Sequence, residues 1–95
     1  MTTSGFISQL SDASDTVRAC VAYNLGVNGD AEAVPALLGL LKSKKALDRR
    51  AAALALSKIG SADAVAGLQN AVNDRDAVVR RFAEEAVGVR EKRSA

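Results

Sequence analysis

The sequence predicts an all-α fold, a short α-α superhelix of about six helices, and three observations predict it. The chain matches itself when shifted by 31 residues, each copy carries two apolar stripes at helical spacing, and the breaks between stripes carry capping residues. A self-match at such a period marks stacked helical pairs, since one pair cannot bury its own apolar face and a stack of pairs can.

The register is carried by particular residues. Arg18, Ala22, Leu25 and Gly29 fall on Arg49, Ala53, Leu56 and Gly60, and Ala31, Ala33, Val34 and Leu37 fall on Ala62, Ala64, Val65 and Leu68. A second shift brings Arg49, Arg50, Ala52 and Ala55 onto Arg80, Arg81, Ala83 and Ala86, with Leu56 on Val87. Run backwards, Leu37, Leu38 and Leu41 land on Phe6, Ile7 and Leu10. Three copies of 31 residues make 93 of the 95, so residues 1–95 are expected to form a single domain. Its units are 1–11 (partial), 12–42, 43–73 and 74–91 (partial), with 92–95 a frayed, charged tail.

Each copy reads as an A-type and a B-type helix. In chain order, Phe6, Ile7 and Leu10 mark a B helix over 3–11, and Val17, Val21 and Leu25 an A helix over 14–26. The break "GVNGD" follows, with Asp30 placed to cap the next helix. Val34, Leu37, Leu38 and Leu41 form the apolar stripe of a B helix over 31–43, and Pro35 sits in its first turn, where a missing N–H is tolerated. After "KSKKA", Ala52, Leu56 and Ile59 define an A helix over 46–59. "GSAD" then breaks the chain, with Ser61 able to cap a B helix over 62–73 whose stripe is Val65, Leu68 and Val72. "NDRDA" leads into the last A helix, 77–89, with Val79, Phe82, Ala83, Ala86 and Val87.

Composition narrows the function. Apolar residues at 48% and charged residues at 25% suit a folded globular chain, and aromatics at 3% point to closely packed helices built on Ala, Val and Leu. A net charge of +2, from 13 basic and 11 acidic residues, is too balanced to indicate nucleic acid or a membrane. One Cys permits no internal disulfide, the N-terminus has no signal-peptide pattern, and no apolar run is long enough to span a bilayer. The expectation is a cytoplasmic protein.

The pattern resembles the HEAT-like repeats named after phycobilisome lyases: an Asp, a Val-Arg pair, an Ala-rich helix ending in Leu-Gly, then a Val/Pro/Leu helix. Residues 12–41, "DASDTVRACVAYNLGVNGDAEAVPALLGLL", carry the resemblance most fully. In the second copy Ser43 stands in place of the Asp and Asp48 in place of the Val, and the third matches through "DRDAVVRRFAEEAVG". The resemblance implies a binding scaffold. Some members are bilin lyases, in which the linked cysteine belongs to the acceptor protein. Others, the deoxyhypusine hydroxylases, hold iron with His-Glu pairs, and this chain has no His.

No catalytic, metal or cofactor-binding residue is assigned. Cys20 reads as a small buried apolar residue, Asp74 and Asp76 as helix caps, and the adjacent Glu84 and Glu85 as diverging solvated charges. Arg18, Arg49 and Arg80 lie in register. They make either a structural ladder bonding Asp or carbonyl groups of neighbouring repeats, or a cationic row for phosphates aided by Arg90, Lys92 and Arg93; the repeat signature and the modest net charge favour the ladder. With the B stripes turned inward, Ala33, Ala36, Leu40, Ala64, Gly67 and Ala71 form a candidate uncharged concave face for a partner protein. The expected function is a noncatalytic protein-protein interaction scaffold without cofactor, with a bilin lyase-like enzyme or subunit and a nucleic-acid-binding module as alternatives. The uncovered A- and B-type ends predict self-association, most simply as a homodimer.

Overall fold

Oxygen side chains receive the first free N–H groups at four of the described helical starts. The computed structural model describes residues 9–10 and 14–94, with side chains through Val87. Ser14 Oγ accepts from the Val17 N–H at 3.3 Å and opens α1, Asp15–Val27. Asp30 accepts from the Glu32 N–H at 3.2 Å and opens a 3₁₀ turn, Ala31–Ala33, which runs into α2, Val34–Leu40. Helix α3, Ala46–Ile59, follows Lys45 with no such cap and ends at Gly60, whose φ of 64° lies in the left-handed region that glycine enters without steric cost. Ser61 Oγ accepts from the Ala64 N–H at 3.3 Å and opens α4, Ala62–Leu68, which a second 3₁₀ turn, Asn70–Asn73, prolongs. Asp76 Oδ2 accepts from the Val78 and Val79 N–H groups, each at 3.0 Å, at the start of α5, Ala77–Ser94.

Of the A helices, α3 matches its expected bounds residue for residue, α1 lies one residue later than expected, and α5 starts where expected. The two B helices that lie within the described residues are each split between α and 3₁₀ geometry. An α-helix begun at Ala31 would need an N–H from residue 35 to the Ala31 carbonyl; Pro35 has none, so the opening turn tightens. At the other B helix the end tightens into a 3₁₀ turn that begins and ends on Asn, a residue of low helix propensity. The last helix continues to Ser94, past its expected end at residue 89, because "REKR" contains strong helix formers and no Gly or Pro to stop it. Phe6 and Ile7, assigned to the first B helix, lie outside the described residues; Leu10 is described and buried.

Helices α1, α3 and α5 stack side by side as one layer, and α2 and α4 with their 3₁₀ turns form the other. No strand occurs among the described residues. Leu25, Leu37, Leu56, Leu68 and Val79 are the largest fully enclosed side chains. Each buried Leu stabilises the fold by roughly 2 kcal/mol. Between them sit Ala22, Ala52, Ala53, Ala55 and Ala83, all closed to solvent. Small side chains let the A helices approach closely, and the limit is reached at Gly26, where a Cβ would lie 2.6 Å from Ala55 Cα. Both are backbone positions on packed helices, so neither helix can yield without moving bodily.

Gly26→Ala is therefore expected to destabilise the protein by about 1–3 kcal/mol through overpacking, opposing the usual gain of up to about 1 kcal/mol when Ala replaces a helical Gly. Urea denaturation measures the difference. An alanine variant more stable than the native chain would contradict the close α1–α3 approach.

Candidate functional site

The three register arginines have different surroundings. Arg18 Nε donates to Asp48 Oδ1 at 3.0 Å, and its Nη2 pairs with Asp15. Arg49 Nε donates to Asp74 Oδ2 at 3.0 Å, while its Nη1 donates to the Ser43 and Lys44 carbonyls, each at 3.0 Å. Arg80 Nη1 donates to the Asp74 and Arg75 carbonyls at 2.8 and 3.0 Å. Arg18 thus joins α1 to α3, and Arg49 joins α3 to the loop before α5. Exposures of 8% and 7% for Arg18 and Arg49 remove both from a phosphate-binding row, since their guanidinium groups are engaged inside the layer. The side chains of Arg90, Lys92 and Arg93 lie outside the described residues.

The two Arg-Asp rungs take their carboxylates from different repeat positions. Asp74 stands in register with Ser43, and Asp48 with Val79, so the second copy lacks the loop Asp and carries one inside its helix. Asp48 reaches Arg18 from there, and Ser43 Oγ donates to its second oxygen at 2.7 Å. The departure from the repeat pattern is thereby compensated: the acid has moved, and the serine left in its place holds it. No buried side-chain nitrogen or oxygen lacks a partner among the described residues.

An outer set of charges flanks the rungs. Arg50 meets Asp76 in a two-pronged pair, Nε to Oδ2 at 2.9 Å and Nη2 to Oδ1 at 2.7 Å. This pairing holds the Asp76 carboxyl well below the usual carboxylate range and raises the Arg50 pKa, with the α5 N–H groups of Val79 and Val78 adding to the effect on Asp76. Lys45 Nζ, 2.9 Å from Asp15 Oδ1, lowers the Asp15 pKa, and the bond to Asp48 raises that of Arg18. Burial pushes Asp74 upward, but the Asp76 N–H and Arg49 outweigh it and leave it lowered. Asp74 and Asp76 thus act in turn, ladder and cap. The Arg50–Asp76 pair was not singled out from the sequence, although Arg50 and an Asp at the following helix start were its signal.

Several sequence-based expectations need correction. Cys20 is exposed, not buried. The enclosed stripe of α1 is Arg18, Val21, Ala22, Leu25 and Gly26, and position 20 lies off it. Ala33 and Ala64 are fully enclosed and Ala71 is buried, so these three cannot form a concave binding face; alanine is spent where the two layers meet. Ala36 and Leu40 are partly buried against the core, and Gly67 is partly buried. Leu38 and Leu41, assigned to the interior, are only half covered.

These displacements open a groove of about 320 Å³ between α2 and α4 with its 3₁₀ turn, lined by Leu38, Leu41, Lys42, Gly67, Asn70, Ala71 and Asp74. A Cβ at Gly67 would collide with the Leu38 side chain, so glycine is what lets Leu38 lie across α4. A glycine inside a short helical stretch, where it costs about 1 kcal/mol relative to Ala, was the available signal for this close approach. The groove has an apolar floor and a rim carrying an ammonium, an amide and a carboxylate. Glu84 and Glu85 are exposed, and Glu85 pairs with Arg81 at 3.4 Å. Among the described residues no three His, Cys, Asp or Glu side chains cluster to hold a metal ion. No helix among them is long and apolar enough to cross a membrane.

Two layers of helices in 31-residue register, with Arg-Asp rungs linking successive repeats, define a helical-repeat protein. The chain belongs to the HEAT repeats family, whose pattern it matches over residues 3–88. A solved structure of human deoxyhypusine hydroxylase in complex with glycerol is similar, with a TM-score of 0.84 and 29% sequence identity over 95% of this chain. The chain spans 32% of that enzyme's length. No curated protein matches it.

Proposed function

We propose that this chain is a noncatalytic interaction module that takes a segment of another protein into the groove between α2 and α4. The observation that carries the reading is the groove itself: half-covered Leu38 and Leu41 beside Gly67 and Ala71, with Lys42, Asn70 and Asp74 at the rim. An apolar floor with a few convergent polar groups suits one anchoring apolar side chain and the polar backbone on either side of it. Membership of the HEAT repeats family supports the reading, because stacked repeats present extended surfaces of this kind.

The likeness to a hydroxylase supports a shared architecture over about a third of that enzyme, and its activity is not carried over to a chain without His. The finer resemblance, to phycobilisome-lyase repeats, rests on residues 12–41 and leaves a lyase-associated role as the alternative. The lone cysteine suits a reducing, cytoplasmic setting. Self-association as a homodimer belongs to the same proposal. Helix α1 supplies its natural face, since Tyr23, beside Lys58 of α3, and Val27 are 47% and 56% exposed, whereas α5 presents charged Glu84, Glu85 and Arg81.

Asn70 is exposed on the groove rim, so Asn70→Trp blocks the groove without entering the core. Affinity capture from the native host, read by mass spectrometry, is expected to lose the retained protein with Asn70→Trp and to keep it with Leu47→Trp, at an exposed position of α3 in the other layer. Equal retention by both would overturn the groove reading. Light scattering is expected to give twice the chain mass of 9.8 kDa, and to give the single mass for Tyr23→Ser with Val27→Ser. A native chain that scatters as a monomer would remove the dimer from the proposal.

A further inference from the structure

Arg80 repeats the pose of Arg49 with one difference. Arg49 Nη1 donates to the carbonyls of residues 43 and 44, and Arg80 Nη1 donates to those of residues 74 and 75, the same positions one repeat later. In Arg49 these bonds orient the guanidinium so that its Nε edge meets the Asp74 carboxylate. The Nε edge of Arg80 meets no carboxylate among the described residues, and the side chain is partly open to solvent. Two carbonyl bonds have thus fixed a guanidinium whose remaining donors match a carboxylate in geometry and charge.

The neighbouring residue says what kind of group can approach. Ala22 and Ala53 are fully enclosed where one A helix packs on the next, and the residue in register with them on α5 is Glu84, which is exposed. A helix stacked as closely as α3 is on α1 would bury that carboxylate against its own backbone, at a large desolvation cost. A loop can reach Arg80 and leave Glu84 in water. We propose that Arg80 is a preset binding site for an Asp side chain on a helix-start loop of a partner protein, engaged as Arg49 engages Asp74. This site lies on the outer side of α5, rests on the ladder geometry, and stands or falls independently of the groove.

The probe is an acetylated, amidated peptide copying residues 70–78, the segment that supplies Asp74 to Arg49. It is titrated into the intact chain while the Arg Nε–Hε resonances are followed by NMR. The Arg80 signal is expected to shift and saturate, and the peptide with Asn in place of Asp74 to bind at least about tenfold more weakly. Sodium acetate at matched concentration is expected to give a much smaller shift. Arg80→Lys, which keeps the charge and loses the fixed edge, should weaken binding to a similar degree, and Arg81→Lys should leave it unchanged. An unmoved Arg80 signal, equal binding of the Asn peptide, an equal response to acetate, or equal loss with Arg81→Lys would each overturn the proposal. The Asn-peptide comparison uses the native chain, so it decides the matter even if Arg80→Lys folds poorly.

Discussion

The spacing between α1 and α3 is the constraint on which the rest of the molecule depends. It is set by the backbone of Gly26 lying over Ala55 and by the enclosed Ala22, Ala52 and Ala53 around that contact. At this spacing Arg18 on one helix reaches Asp48 on the next with a 3.0 Å bond. Larger side chains at the contact would hold the helices apart and break the pair between two partly desolvated charges, an arrangement costlier than either the pair or an apolar contact. Alanine packing and ionic rungs are therefore one device. The small residues bring neighbouring A helices close, and closeness makes the buried charges tolerable. The leucines of both layers then supply the largest enclosed apolar side chains, whose burial drives folding.

Much of this architecture was legible because the repeat is strict where backbone geometry is at stake. α3 was readable to the residue: its interior is Ala and Leu, and the Gly60-Ser61 pair both ends it and caps its successor. Burial on the small-residue faces was not legible. Ala33 and Ala64 could as well have been surface residues, since periodicity places the larger side chains and says little of where an Ala meets another helix. The converse error concerns Leu38 and Leu41, which a stripe pattern sends inward and the Gly67 contact draws to a groove edge. Cys20 was misplaced for a related reason, because average burial of free cysteine carries no information about which side of α1 it occupies.

The ladder was half visible. Register alone placed Arg18, Arg49 and Arg80 in a row, but not what each one meets. The two departures of the second copy, Ser43 and Asp48, stand out in sequence as blemishes in a repeat, and in three dimensions they are one exchange. Such paired departures separate the chemistry of a rung, which the fold needs, from the position that supplies it. The same distinction bears on function. Rungs enclosed between helices are structural, whereas the groove between α2 and α4 and the Nε edge of Arg80 are where the repeat turns its chemistry outward.

Asp48 stands in for a carboxylate at position 43. Thermal unfolding of Asp48→Val, Ser43→Asp and the double variant measures this, because the double variant restores the arrangement seen around Arg49. Asp48→Val is expected to lower Tm clearly, and adding Ser43→Asp to recover most of the loss, a coupling between two positions in contact. An Asp48→Val chain as stable as the native one, or a double variant no better than that single change, would contradict it.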